Sequence, residues 1–392
     1  MKISLFTNQL NHHQAPISDC LYELTNGDFR FIEINSPNNQ SKKGSSIDYS
    51  LRPYLVQAWR NKSQYSEAEE LARESDVCIF GAESIHFEIL RAQKTDLLSF
   101  EMSERWLKRG YLNALSPRFI QYQWFYHTLF FRKPVYKLCA GAYSANDQYL
   151  FHSFRNRCYK WGYFVLGAND ERSFKQSSSY NKIQLMWCGR FLSLKHPELA
   201  IDLAYRLKYY GISFHLDMYG SGPLFNDIKK RIIALELSEL VTLHGSVDNS
   251  YIINEMLNHD VLLLTSDRNE GWGAVVNEAL SCGCAVIASN AIGCVPYLIK
   301  PHETGCVFRD QSIDSLLHEF FWLIDSEERI NQIRKNSSDY YYRFWTPHKA
   351  SQALINLIAC LKTGQDTAIE EGPCSKAFPT YYSRNENKLF TK

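Results

Sequence analysis

The sequence contains no apolar run near the ~18 residues that a membrane-spanning helix requires, and no excess of charge of either sign. Lys and Arg total 43 against 42 Asp and Glu, a formal net charge of +1. That balance argues against a broad basic surface for nucleic acid. Metal-binding cysteine spacing is missing too. The 11 cysteines are odd in number and scattered, and Cys282-x-Cys284 has no second pair at such a spacing. Cys78, Cys139 and Cys188 fall in apolar, strand-like runs, so reduced, buried thiols are expected. No Asp-x-Asp motif sits at a strand end, so neither a metal nor a cofactor is expected. No G-x-G-x-x-G follows the first apolar segment, which argues against a nicotinamide dehydrogenase. Met1 to Leu10 lacks the long apolar stretch and small-residue cleavage site of a secretion signal and reads as a strand. A cytoplasmic location is the expectation.

What is present is ample core material. The 392 residues include 23 Phe, 24 Tyr and 8 Trp, with 45% hydrophobic residues overall. That excludes disorder over most of the chain and leaves room for two domains. Short strand-like runs alternate with helical stretches: Lys2 to Thr7, Phe29 to Ile34, Val77 to Gly81, Asp96 to Glu101 and Val135 to Ala140 as strands, Pro16 to Leu24 and Ser66 to Arg73 as helices. A polar stretch at 167–179 reads as a linker. A second alternation follows, with strands Ile183 to Cys188, Ser213 to Tyr219, Leu240 to His244, Val261 to Thr265 and Ala285 to Ser289. Such alternation implies parallel strands with crossover helices. The expected organisation is a Rossmann-like domain over 1–166 and a second over 180–345. A helix over 346–364, able to return to the first domain, and a polar tail over 365–392 complete it.

The sharpest chemical signal is Glu270-Gly-Trp-Gly-Ala-Val-Val-Asn-Glu278. It follows a buried strand and opens a helix. Gly271 and Gly273 leave room for a ligand near the backbone. Glu270 and Glu278 lie at most ~12 Å apart along a helix, suited to gripping hydroxyls at two ends of an extended ligand. This pattern resembles that of family 4 of the retaining glycosyltransferases. Further resemblances run in the same order: Gly189-Arg190 to Lys195, Gly220-Ser-Gly222-Pro-Leu224, His244-Gly245, Ala288 to Gly293 with Pro296, and Gly305.

The resemblance implies an α/β fold of the GT-B type, two Rossmann-like doubly wound domains facing a central cleft. It implies that a sugar moves from a nucleotide-sugar donor to an acceptor hydroxyl with retention and without metal, in bacterial polysaccharide or glycan synthesis. Arg190 and Lys195 would bind the donor diphosphate, Glu270 the sugar hydroxyls and Glu278 the ribose. Gly220 and Gly222 would let the backbone approach the nucleotide. Backbone N–H groups at Gly271, Trp272 and Gly273 would meet phosphate, and Val247 the base. The sequence departs from the family pattern where His196 replaces a glycine after Lys195.

The first half would hold the acceptor, a glycan or a lipid-linked glycan. Asn11-His12-His13-Gln14 follows the first strand where relatives often carry a glycine pair. His12 or His13 could bond the diphosphate or the acceptor, and His86 and Glu101 are further candidates for the cleft. Arg118 to Lys137 mixes aromatic with basic residues. It reads either as a buried helix with a basic edge or as a peripheral patch on the inner face of a membrane. Two other functions share the donor motifs: a nucleotide-sugar epimerase, and a non-catalytic sugar-nucleotide-binding partner subunit.

Overall fold

A computed structural model describes residues 1–36, 48–168, 182–382 and 389–391. The chain divides into two compact units. The first comprises Met1–Val165 with Phe344–Thr380; the second is mainly Leu166–Arg343. Most of the expected linker lies outside the described residues.

The first unit holds seven parallel strands in the order β3-β2-β1-β4-β5-β6-β7. They are β1 Ile3–Thr7, β2 Phe29–Glu33, β3 Leu55–Gln57, β4 Val77–Phe80, β5 Ser99–Ser103, β6 Val135–Ala140 and β7 Cys158–Trp161. Strand β4 is buried along its whole length, because crossover helices cover both faces of a parallel sheet. Phe6 on β1 pairs in register with Phe80 on β4, ring centroids 5.1 Å apart. The expected strand at Asp96 starts later, because Leu97 N donates to Thr95 Oγ1 at 2.7 Å and closes a turn first.

The second unit has six parallel strands in the order β10-β9-β8-β11-β12-β13. They are β8 Ile183–Cys188, β9 Phe214–Tyr219, β10 Val241–Gly245, β11 Val261–Leu264, β12 Ala285–Ser289 and β13 Cys306–Phe308. β11 and β12 are fully buried. All eleven cysteines are free thiols.

The helix Pro347–Lys362 packs on the helix Ala15–Leu24 of the first unit, with Ser351 Oγ donating to Ile17 O at 3.4 Å. Thr346 caps its start by accepting from Lys349 N, and Pro347 suits its first turn. The segment expected to be a loose polar tail is instead tied down over 366–377. Cys374 N donates to Lys160 O, Lys160 N to Ser375 O and Ala377 N to Cys158 O, at 2.8, 2.8 and 3.0 Å. Tyr159 Oη donates to Asp366 at 2.9 Å. The physical reason is the unpaired outer edge of β7, which this segment covers.

Candidate active site

In the second unit the strand order reverses between β8 and β11. A parallel sheet opens a crevice at the carboxyl ends of the strands at such a point. The chain leaving β8 runs through Gly189 and Arg190 to Lys195, and the chain leaving β11 runs through Thr265 to Glu270. Thr265 Oγ1 joins the two by donating to Lys195 O at 2.7 Å and accepting from Trp187 Nε1 at 2.9 Å. Asp267 N adds a bond to Leu194 O at 2.9 Å. These ties bring Lys195 and Glu270 into an ion pair whose side chains are both largely buried. Arg190 is exposed and forms no ion pair among the described residues.

His196 keeps the left-handed turn that a glycine would make, with φ 46° and ψ 54°. Its Nδ1 lies 2.7 Å from Glu198 and its Nε2 3.6 Å from Asp267. The carboxylates of Asp267 and then Glu198 raise its pKa to about 9. The departure from the family pattern therefore leaves the turn intact, with the imidazole clamped between two carboxylates. Gly220 has φ 127°, and a Cβ there would lie 2.0 Å from Gly189 O. At Gly222 it would lie 2.6 Å from Phe191 O. Both glycines are thus required by backbone packed on backbone, independently of any ligand.

The helix Val275–Ser281 buries Glu278. Burial raises its pKa to about 7, opposed by a hydrogen bond to Asn249 in the segment after β10, where Val247 also lies. The thiol of Cys188 sits where it interacts with both Glu278 and Lys195. Burial first, and then Glu278, push its pKa up to about 12. Trp272 is buried, with Nε1 donating to Asn277 Oδ1 at 2.9 Å. Any contact it makes with a ligand would be through its backbone.

The first unit has its own reversal, between β1 and β4. A cavity of about 820 Å³ lies there, lined by residues from the carboxyl ends of β1, β4, β5 and β6. Asn11, His13, Gln14 and Glu101 line it, and so do Glu88, Trp106, Tyr122 and Tyr163. Apart from Glu101 Oε2, which is ion-paired with Lys137, four of its buried polar atoms have no hydrogen-bond partner among the described residues: His13 Nδ1, Gln14 Oε1, Glu88 Oε1 and Tyr122 Oη. Burial, helped by the neighbouring His12, lowers the pKa of His13 to about 3, so its ring is neutral. Burial raises Glu88 to about 8, so it carries a proton at neutral pH. His12 does not line the cavity; it packs on His13 with ring centroids 3.8 Å apart. Asn11 Oδ1 accepts from His13 N at 3.0 Å and shapes the turn.

His86 is placed outside the cavity. It lies on the exposed side of the helix Ile85–Lys94, 3.5 Å from Glu69. Glu101 faces Lys137 on the adjacent strand and forms a buried ion pair with it. Lys137 therefore does not belong to a surface patch, contrary to the expectation for 118–137. The helix Pro117–Thr128 is also not buried, since only Tyr126 in it is fully covered. Asn249, Glu88 and Tyr122 escaped the sequence reading as site residues, and Cys188 was read only as a buried thiol. Glu88 had a signal, because it shares a helical stripe with Ile85 and Ala92, both packed inward.

Comparison with known proteins follows the same division. Residues 169–340 match the family described as Glycosyl transferases group 1. A curated relative, N-acetyl-alpha-D-glucosaminyl L-malate synthase of Bacillus anthracis, is 24% identical over 132 residues. That match spans 34% of this chain and 34% of the relative, so about a third of each. Among solved structures, Anabaena Alr3699/HepE in complex with UDP superposes with a TM-score of 0.67 at 14% identity, covering 92% of this chain and all of that one. Sucrose-phosphate synthase from Thermosynechococcus elongatus gives 0.67 at 15% identity, with 93% and 100% coverage. These likenesses show the GT-B fold. Residues 169–340 thus resemble the glycosyl transferases group 1 family, and the chain's two parallel-sheet units have the GT-B architecture.

Proposed function

We propose that this protein is a retaining glycosyltransferase of the family 4 type, acting without a catalytic metal. The observation that carries the reading is the Lys195–Glu270 pair at the switch point of the second sheet, with Arg190 exposed beside it and Glu278 buried behind it. Arg190 and Lys195 would bind the diphosphate and offset the charge that grows on it as the sugar leaves. Glu270 would then turn to the sugar hydroxyls, and Glu278 would accept from the ribose. The backbone at Gly220, Gly222 and Gly271 to Gly273 would border the phosphates, and Val247 the base. Catalysis would rest on positioning and on stabilising the leaving group. HepE was crystallised with UDP, which makes UDP-sugars the first donors to try.

The acceptor would bind in the 820 Å³ cavity of the first unit. Its unpartnered polar atoms suit hydroxyls, and Trp106, Tyr122 and Tyr163 offer apolar faces. Tyr111, Leu112, Leu115, Ile120 and Trp124 are exposed on the segment whose Asn113, Ser116, Phe119 and Tyr122 line the cavity. That supports a lipid-linked acceptor drawn from an anionic bilayer, and a place in polysaccharide assembly.

The test is a screen of nucleotide-sugars for donor hydrolysis, thermal stabilisation and transfer to added acceptors, run with and without EDTA. Transfer that survives chelator and yields the donor's anomeric configuration by NMR supports the reading. Loss with EDTA that magnesium or manganese restores rejects the metal-free mechanism. Conversion of the donor sugar to its epimer without acceptor would make the protein an epimerase. Binding without turnover would make it a non-catalytic subunit.

A further inference from the structure

The donor motifs all follow the carboxyl ends of strands. At the opposite, amino end of β13 lies a cluster that they do not use. His302 Nε2, the Cys306 thiol and a Glu319 carboxylate oxygen all lie within 4.8 Å of one another. They come from three different pieces of chain: the turn before β13, its first residue, and the helix Ile313–Leu323. We propose that His302, Cys306 and Glu319 form a structural zinc site that pins the edge strand β13 to this helix.

The donor set is the first argument. One imidazole, one thiolate and one carboxylate are standard zinc ligands, and zinc is most often four-coordinate. The two anions balance the ion's charge once the thiol releases its proton, so binding frees one proton per zinc. The ligand atoms need to settle ~3.5 Å apart for tetrahedral bonds of 2.0–2.3 Å. Shifts of about 1 Å from the present arrangement suffice. His302 Nε2 and Glu319 Oε2 are 2.8 Å apart, so they part slightly while the others close in. Solvent completes the shell, and His318 Nδ1, 3.4 Å from Glu319 Oε1, is a nearby further donor.

Pre-organisation is the second argument. His302 holds a left-handed backbone with φ 64°, an uncommon conformation for a residue with a side chain. Its N–H donates to Gly305 O at 2.7 Å and fixes the turn. Its ring lies flat on Trp322, with centroids 3.8 Å apart and planes 19° apart, which sets the direction of Nε2. Cys306 and Glu319 are buried at 0% and 3% exposure. The nearby cation Arg329 is engaged by Asp325 at 3.0 Å and by the face of Trp322. The setting at the amino end of a parallel strand, away from the carboxyl ends where ligands bind, makes the role structural.

Cobalt(II) is the probe. Titrated into the metal-stripped, reduced full chain, it should bind at one equivalent. It should give the near-ultraviolet thiolate-to-cobalt absorption and the visible bands of a four-coordinate ion. Zinc should displace it and raise the melting temperature. Cys306→Ser should remove the thiolate band. His302→Gln, on the protein surface, should weaken zinc by at least the ~10–100-fold lost when only a ligand's supporting partner is disturbed, with an unchanged circular dichroism spectrum. No thiolate band in folded wild type, or a band that persists in Cys306→Ser, would overturn the site. Zinc affinity unchanged in His302→Gln would do the same.

Discussion

At the scale of single residues, Arg190 and Lys195 share a proposed role but differ in what the fold asks of them. Lys195 neutralises the largely buried Glu270, whereas Arg190 is exposed and free of ion pairs among the described residues. Removing either should lower kcat/KM by roughly 10²-fold or more, because both would face charge growing in the transition state. Only Lys195→Ala should also cost stability, about 1–3 kcal/mol, since it leaves Glu270 without its partner. Steady-state kinetics and urea melts of the two variants separate these effects. Near-normal turnover in both would remove the diphosphate assignment. Glu278 gives a second prediction. Burial raises its pKa to about 7 in the folded chain, from an ordinary 4.5. Stability from the raised value is fully present below pH 4.5 and is lost as pH rises through 7. Binding should move the other way, because an ionised Glu278 accepts from ribose hydroxyls better than a protonated one. Calorimetry with an uncharged nucleoside should show affinity rising from pH 6 to pH 8 in wild type and flat in Glu278→Gln. A flat wild-type profile would count against the ribose role.

At the scale of elements, His196 shows how a rule can be broken and the geometry kept. A left-handed residue with a side chain costs ~1–2 kcal/mol relative to a right-handed one, and here Asp267 and Glu198 offset the cost by holding the imidazolium. Its folded pKa of about 9 stands above the ordinary 6.5. The stabilisation is therefore complete below pH 6.5 and lost as pH rises through 9. The denaturation midpoint of wild type should fall across that window. His196→Gly should keep the turn but lose the pH dependence, and a parallel fall in both proteins would assign it elsewhere. The central strands were legible because apolar runs such as Val77–Phe80 and Val261–Leu264 are buried on both faces. Three strands of three or four residues, β3, β7 and β13, went unread. Each stands at the edge of its sheet and exists because a neighbouring strand offers its own edge. The glycine turns and the Lys195–Glu270 pair of the second unit came from motif spacings. The Glu88–Tyr122 part of the cavity was not, because residues 34 apart meet only after the first sheet forms.

At the scale of the whole molecule, the question is what the exposed apolar segment beside the first unit's cavity does. The sequence suggested attraction through Arg118, Arg132, Lys133 and Lys137. The structure removes most of that charge: Lys137 is buried against Glu101, Arg118 pairs with Glu83 at 2.8 Å and Lys133 with Asp96 at 2.6 Å. With a net charge of +1, long-range attraction to an anionic surface is weak. Each remaining basic residue adds at most ~1 kcal/mol. Apolar insertion should dominate instead, because Leu112 is 81% and Trp124 61% exposed, with Ile120 between them. Burying a side chain of this size is worth ~1.5–3 kcal/mol, so the trio outweighs the charges. No helix among the described residues is long and apolar enough to cross a membrane, so the contact would be peripheral. Liposome sedimentation should therefore show binding that Leu112→Gln/Ile120→Gln/Trp124→Gln abolishes, while Arg132→Gln/Lys133→Gln only weakens it. High salt should reduce binding modestly. The triple variant should keep its circular dichroism spectrum and its turnover of a water-soluble acceptor, because those side chains point to solvent. If wild type does not sediment with anionic vesicles even at low salt, the segment is no membrane contact and the acceptor is better sought among soluble glycans.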